Sequence, residues 1–174
     1  PPTTALAPPP PGPALVAPPS GRDIRFDGVG DVRIGDALDP AVVQSHEGTS
    51  CGYWGPQEPS HDADEPPSGL AEGADTPTPR VLDIRIGEGS QYRTASGVGV
   101  GTTLASLQRV YGEDLVVDRA DGWDRPTAGL TALYQDVAAV RNGDRALTFI
   151  LRGDAVEVVK VSRAEGWGDD EGCA

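Results

Sequence analysis

The C-terminal half of the chain has the clearest hydrophobic pattern. In residues 81–86, apolar Leu82, Ile84 and Ile86 alternate with polar Asp83 and Arg85. This two-residue period is typical of a strand with one buried face, so it predicts that the three apolar side chains point inward. The same period predicts that Asp83 and Arg85 point outward, into solvent.

Three more strands are predicted after this one. They cover residues 130–140, 146–152 and 155–161. Asn142-Gly143 and Gly153-Asp154 separate the last three strands, and both dipeptides suit the tight turn of a hairpin. The pattern therefore predicts an antiparallel meander.

Two segments have a helical pattern. In the first, Asp39 can cap a helix that has Pro40 at its first position and ends at Gly48. In the second, Thr102 or Thr103 can serve as the cap. The apolar stripe of the second helix consists of Leu104, Leu107, Val110 and Tyr111, and Gly112 follows it.

The strands and helices together predict an α+β fold. Each helix follows a short, glycine-rich extended piece, so the chain divides into two tandem units of one helix plus antiparallel strands. Both predicted helices are short and need a sheet to pack on. We expect one sheet with the two helices packed on one face.

Proline-rich composition sets the predicted domain boundaries. Residues 1–21 are dominated by proline and predict an extended tether, and residues 22–174 are predicted to form a single domain. Within this domain, residues 55–80 combine prolines with acidic side chains, which predicts a solvated inserted loop. The loop lies inside the domain because Cys51 precedes it and Cys173 follows it.

Charge and cysteine content restrict the partners and the compartment. The net charge is −13, from 27 acidic and 14 basic residues, which disfavours nucleic acid and anionic membranes as partners. A basic partner, a cation and simple solubility remain open. Cys51 and Cys173 allow one intrachain disulfide, which would persist outside the reducing cytosol. The alternatives are two free buried thiols, or one free thiol at the C-terminus.

The sequence offers no catalytic constellation. His46 and His61 are the two histidines, and their neighbours Ser45 and Ser60 point away from them because adjacent side chains diverge. Gly97-Val-Gly-Val-Gly101 lacks the spacing of a dinucleotide fingerprint and the lysine of a phosphate loop, so we interpret it as a turn into a helix. We expect neither enzymatic activity nor a cofactor.

Two weaker site signals remain. Asp118, Asp121 and Asp124 place three carboxylates in a glycine-containing loop, a weak candidate for calcium whose default interpretation is a solvated turn. Four aromatic residues in predicted loops or at strand ends are candidate interface residues, or they cover the core. They are Tyr53, Trp54, Trp123 and Trp167.

Several short motifs, in this order, resemble a family of uncharacterised secreted proteins and lipoproteins of actinobacteria. The motifs are Gly28-x-Gly30, Cys51, Tyr92-Arg-Thr94, Gly97-Val-Gly-Val-Gly101, Val110-Tyr-Gly112, Phe149 and Glu171-Gly172-Cys173. The resemblance covers residues 23–174 and implies that the two cysteines pair. Its tandem units are similar to those of the β-lactamase inhibitor protein and of small outer-membrane assembly lipoproteins, which bind proteins and catalyse nothing.

The sequence therefore predicts a non-enzymatic, extracytoplasmic domain that is secreted or held at the cell envelope. The expected partner is another envelope protein or a membrane complex, to which the domain would bind as an accessory subunit or an inhibitor-like module. Contact with the membrane would come only from a possible lipid anchor upstream of Pro1. The alternative is a protein that binds a small ligand or Ca²⁺, and a hydrolase with a histidine base is disfavoured.

Overall fold

The computed structural model describes residues 15–45, 49–56, 66–118 and 136–164. The chain is mostly β in these ranges, with three sheets and one α-helix. In chain order the strands are β1 (Asp23–Arg25), β2 (Gly28–Val29), β3 (Val32–Arg33), β4 (Val43–Ser45), β5 (Cys51–Trp54), β6 (Gly69–Glu72), β7 (Arg80–Val81), β8 (Ile84–Ile86), β9 (Arg93–Thr94), β10 (Val116–Asp118), β11 (Asp136–Asn142), β12 (Arg145–Arg152) and β13 (Ala155–Arg163). The helix, α1, spans Leu104–Tyr111.

The largest sheet has the strand order β10-β11-β12-β13-β8 and is antiparallel throughout. The predicted hairpins are confirmed here, because Gly143 and Gly153 provide the turns on either side of β12 with φ of 61° and 66°. Such positive φ values favour glycine, which has no Cβ to clash with the backbone. Residues 130–135 of the strand predicted at 130–140 lie outside the described ranges.

Two smaller sheets complete the fold. One has the order β4-β5-β6-β7, and the other has the order β3-β2-β1-β9, in which β1 and β9 are parallel. The prediction of a single sheet is therefore wrong. Short strands with turns between them leave few residues per pairing, so the hydrophobic pattern of the sequence does not specify which strands become neighbours.

The second predicted helix is confirmed as α1. Its cap is Thr103, whose hydroxyl oxygen accepts a hydrogen bond from the Ser106 amide at 3.3 Å. Gly112 ends it with φ 56°. On the buried face, Leu107 is inaccessible to solvent and the Tyr111 ring packs on Phe149 with 5.8 Å between ring centroids.

The first predicted helix is wrong. Asp39 does act as a cap, since its carboxylate accepts from the Ala41 amide at 2.9 Å, but it caps only a 3-10 turn at Pro40–Val42. The chain then enters β4, where Val43 pairs with Trp54. Consecutive valines have a high strand propensity, and pairing with β5 satisfies it. The described residues form one α-helix instead of two and three sheets instead of one, so the predicted α+β class is also wrong.

Part of the segment predicted as an acidic loop is ordered β-structure. Residues 69–72 form β6, in which Leu70 is 5% exposed and Ala71 is fully buried. Residues 57–65 lie outside the described ranges. β6 could not be recognised from the sequence, because its two apolar residues are too few to produce a period.

The end of the predicted tether contacts the domain. Leu15 packs against the main hydrophobic core, and a Cβ at Gly97 would lie 2.8 Å from the Leu15 Cβ. Such a distance is far below van der Waals contact, so the tether approaches this loop closely only because Gly97 has no side chain. Within the described residues, no helix has the length and apolar character needed to cross a bilayer.

Candidate functional site

The segment predicted as one strand at residues 81–86 divides between two sheets. β7 ends at Val81 in the four-stranded sheet with β4, β5 and β6, and β8 begins at Ile84 in the five-stranded sheet. The amides of Leu82 and Asp83 between them both donate to the Leu70 carbonyl, at 2.8 and 3.2 Å. This break in the alternation turns the Asp83 side chain inward.

Asp83 is the centre of a buried ionic cluster, which we call the Asp83 cluster and define as Asp83, Arg85 and Lys160. The Asp83 Oδ2 atom lies 3.0 Å from Arg85 Nη2 and 3.3 Å from Lys160 Nζ. The Oδ1 atom accepts from the Leu70 amide at 2.8 Å. The side chains of Asp83 and Lys160 are only 3% and 5% exposed, so the prediction that Asp83 faces solvent is wrong.

β6 lies unusually close to this cluster. A Cβ at Gly69 would lie 2.1 Å from the Asp83 carbonyl oxygen, so only glycine fits there without displacing the backbone. The close approach lets the Leu70 amide reach Asp83. The cluster therefore connects β6 of the smaller sheet to β8 and β13 of the larger one.

A surface recess opens beside the Asp83 cluster, with a volume of about 350 Å³. We call it the Tyr53 recess. It is lined by Tyr53, Trp54, Pro56, Ser68, Gly69 and Arg85. Aromatic side chains, a guanidinium and a hydroxyl thus surround one concave surface, so the recess can accept both an apolar and a polar group.

The two aromatic residues of the recess differ in exposure. Tyr53 is 41% exposed, whereas Trp54 is 7% exposed and belongs to the hydrophobic core. The Trp54 indole Nε1 donates to the Leu70 carbonyl at 3.1 Å, which fixes the ring. Of the two adjacent candidates, Tyr53 presents the larger surface to a partner, and Trp54 supports it.

Most of the other predicted site residues lie outside the part of the chain that the structure describes. Trp123, Trp167, Asp121 and Asp124 lie outside the described ranges, and Asp118 is the half-buried last residue of β10. No group of three or more side chains able to ligate a metal occurs in the described part of the chain. His46 and His61 are also outside it.

The structure describes only one of the two cysteines of the predicted disulfide. Cys51 begins β5 and is 2% exposed, and Cys173 lies outside the described ranges. The last described residues nevertheless lie near Cys51. Arg163 Nη2 is 4.0 Å from Glu72 Oε1, and Glu72 is the strand partner of Cys51. The disulfide stays a prediction.

The glycine motif before α1 forms a turn, as the sequence predicted. The Gly99 amide donates to the Thr102 hydroxyl at 3.0 Å, and Gly97 and Gly101 have φ of 81° and 83°. Arg93 packs over Gly99, where its guanidinium donates to the Ser90 and Tyr92 carbonyls at 2.9 and 2.7 Å. Burial lowers the pKa of Arg93 from its ordinary value.

Sequence reasoning missed the Asp83 cluster. Lys160 is the only lysine of the chain and lies between Val159 and Val161 in a strand of mostly apolar residues. A lone lysine in such a strand was an available signal, because a long charged side chain among valines needs a partner if it is buried. The identity of that partner depends on strand pairing, which places Lys160 opposite Arg85.

Comparisons with known proteins identify no relative, since no protein-family model, curated protein or solved structure matches the chain.

Proposed function

We propose that this protein is a non-enzymatic, extracytoplasmic binding domain that contacts another protein through the Tyr53 recess. The observation that carries the proposal is the 41% exposed Tyr53 at the edge of a recess that also contains the Arg85 guanidinium. Tyrosine, tryptophan and arginine are the residues most enriched at the energetic centres of protein interfaces.

Rigidity of the recess supports this proposal. The Trp54 ring is held by its bond to the Leu70 carbonyl, and the Arg85 guanidinium is held by Asp83. Side chains that are already fixed lose little conformational entropy when a partner binds, so more of the contact energy contributes to affinity. The surface is therefore suited to binding without rearrangement.

Location at the cell envelope forms part of the proposal and comes from the sequence. A proline-rich N-terminal segment followed by a folded domain is the arrangement expected when a domain is held away from a surface. The predicted disulfide between Cys51 and Cys173 would persist only in an oxidising compartment. The partner that we propose is therefore another envelope protein or a membrane complex.

Affinity purification from native envelopes in mild detergent tests the proposal. We expect one partner protein to be recovered in a fixed ratio with the wild-type chain and to be lost with Tyr53→Ala. Val116→Ala is the matched control, because Val116 is 53% exposed on β10 and does not line the recess. Recovery of the wild-type protein alone, or equal recovery of the partner with Tyr53→Ala, would contradict the proposal.

A further inference from the structure

Two arginines face each other at one end of the five-stranded sheet. Arg145, the first residue of β12, is directly opposite Arg163, the last residue of β13. Opposite residues of an antiparallel pair project from the same face, with Cβ atoms about 4.5–5.5 Å apart. We call Arg145 and Arg163 the arginine pair.

This juxtaposition is unfavourable by itself. Like charges directly opposite each other destabilise a sheet. The arginine pair therefore needs compensating negative charge from its surroundings.

The neighbouring carboxylates compensate the arginine pair only weakly. Asp144 Oδ2 lies 3.2 Å from Arg145 Nη1, but the Asp144 side chain is 80% exposed, and water screens such contacts. Glu72 Oε1 lies 4.0 Å from Arg163 Nη2, which is the outer limit of an ion pair. Within the described residues, each arginine therefore has one carboxylate that it holds only weakly.

The described residues also leave hydrogen-bonding capacity of the arginine pair unused. Arg145 Nη1 is buried and has no hydrogen-bond partner, since its contact with Asp144 lacks hydrogen-bond geometry. In contrast, Arg25 Nη2 and Arg33 Nη1 each donate to the Gly30 carbonyl at 2.6 Å, which gives them a structural role. A guanidinium has five N–H donors. The Arg145 and Arg163 side chains are 24% and 51% exposed, so a ligand can reach the donors of the pair that face solvent.

We propose that the arginine pair is a binding site for an oxyanion group, either a carboxylate or a phosphate. A guanidinium matches the two oxygens of such a group, and two guanidiniums on one face can hold a single anion between them. The bound anion would also relieve the repulsion within the pair. This site uses residues that do not line the Tyr53 recess, so it does not depend on the proposed function.

Amide NMR titrations with sodium phosphate and with sodium acetate test the proposal. Sodium chloride at the same ionic strength is the reference. We expect saturable shifts at the amides of Ala146 and Ala164 with at least one of the two anions, and the responding anion identifies the ligand class. In Arg145→Gln and in Arg163→Gln, we expect the dissociation constant to rise at least tenfold.

Arg152→Gln is the matched control, because Arg152 ends the same strand β12 and pairs with Glu157. It should leave the titration unchanged. Arg163→Gln should melt at the wild-type temperature or above it, because it removes a like charge from the pair. Shifts that do not saturate, or a dissociation constant in both variants within twofold of wild type, would identify an adventitious ion only and overturn the proposal.

Discussion

At the scale of single residues, Asp83 determines how two sheets are joined. Its two carboxylate oxygens contact the Leu70 amide on β6, Arg85 on β8 and Lys160 on β13. A buried ion pair replaces water with fixed partners, so the loss of one partner leaves a charge that nothing solvates. The cluster therefore depends most on the residue that all the others share.

Asp83→Asn should lower the free energy of unfolding by about 3–5 kcal/mol, because it leaves the buried Lys160 and the partly buried Arg85 without their shared anion. Lys160→Met should lower it less, since Asp83 keeps its contacts with Arg85 and the Leu70 amide. Urea unfolding of the three proteins measures the difference.

Arg152→Gln serves as a surface control for this series, because the Arg152 side chain is 71% exposed and its ion pair with Glu157 should contribute about 0–1 kcal/mol. A loss below 1 kcal/mol in Asp83→Asn would show that the cluster contributes little to holding the sheets together.

The same residue shows the limit of alternation as a predictor. The polar and apolar pattern of residues 81–86 is correct for Ile84 and Ile86, which are 0% and 3% exposed. It is wrong for Asp83, because the pattern treats every charged residue as solvated. Only the pairing of β8 with β13 places a lysine beside this carboxylate, and that pairing joins positions far apart in sequence.

At the scale of elements, local signals were sufficient for α1 and for the hairpins. The cap at Thr103, the apolar stripe and Gly112 act within one short segment, so the sequence specifies this helix without tertiary information. The segment after Asp39 has a comparable cap but forms a 3-10 turn and a strand instead of an α-helix. Its valines pair with β5, a contact that no local signal indicates.

Thr103→Ala should destabilise the protein by about 1 kcal/mol, because the Ser106 amide would lose its acceptor at the start of α1. Thr103→Ser is the control that keeps the hydroxyl and should retain most of the stability. Thermal unfolding of both variants distinguishes the loss of the cap from the loss of the methyl group. If both variants lose equal stability, the hydroxyl is not what caps the helix.

The Tyr111 ring at the end of α1 makes the fold sensitive to alkaline pH. Burial raises the pKa of Tyr111 above its ordinary value of 10.0, and a hydrogen bond with Thr94 opposes part of this effect. The folded state therefore holds the phenolic proton more tightly than the unfolded state. This contribution to stability is complete below pH 10 and is lost as the pH rises through the folded pKa.

Tyr111→Phe should remove this part of the alkaline destabilisation, because phenylalanine has no proton to lose. Unfolding of wild type and variant by urea at pH 8 and pH 11 measures it. Tyr53→Phe, at the exposed tyrosine, should destabilise on alkaline titration as the wild type does. If wild type and Tyr111→Phe lose equal unfolding free energy between pH 8 and pH 11, other groups cause the alkaline sensitivity.

At the scale of the whole molecule, the arrangement of three sheets could not be predicted from the sequence. β7 and β8 are separated by two residues but belong to different sheets, whereas β8 pairs with β13 across more than seventy positions. Such long-range pairings depend on which buried faces fit together, and many short strands have similar patterns. The Tyr53 recess, formed where two sheets meet, was unpredictable for the same reason, although Tyr53 and Trp54 were identified as candidates.

The predicted disulfide would add one more long-range link. Arg163 lies beside Glu72, and Glu72 pairs with Cys51, so the described chain approaches Cys51 just before residue 164. Nine further residues lead to Cys173, which corresponds to a reach of about 30 Å if fully extended. The disulfide would close a loop with 121 residues between Cys51 and Cys173. Closing it would remove about 4–5 kcal/mol of unfolded-state entropy, so reduction should lower the free energy of unfolding by a similar amount.

Intact mass measurement before and after alkylation in urea without reductant tests the link directly, because a disulfide blocks both thiols whereas a buried free thiol reacts once the chain unfolds. Urea unfolding with and without reductant then gives its contribution. Cys51→Ala/Cys173→Ala is the control that should be insensitive to reductant and match the reduced wild type. Alkylation of both cysteines in unreduced protein would remove the principal support for an extracytoplasmic location, whereas the Tyr53 recess and the arginine pair would still have to be judged by their own experiments.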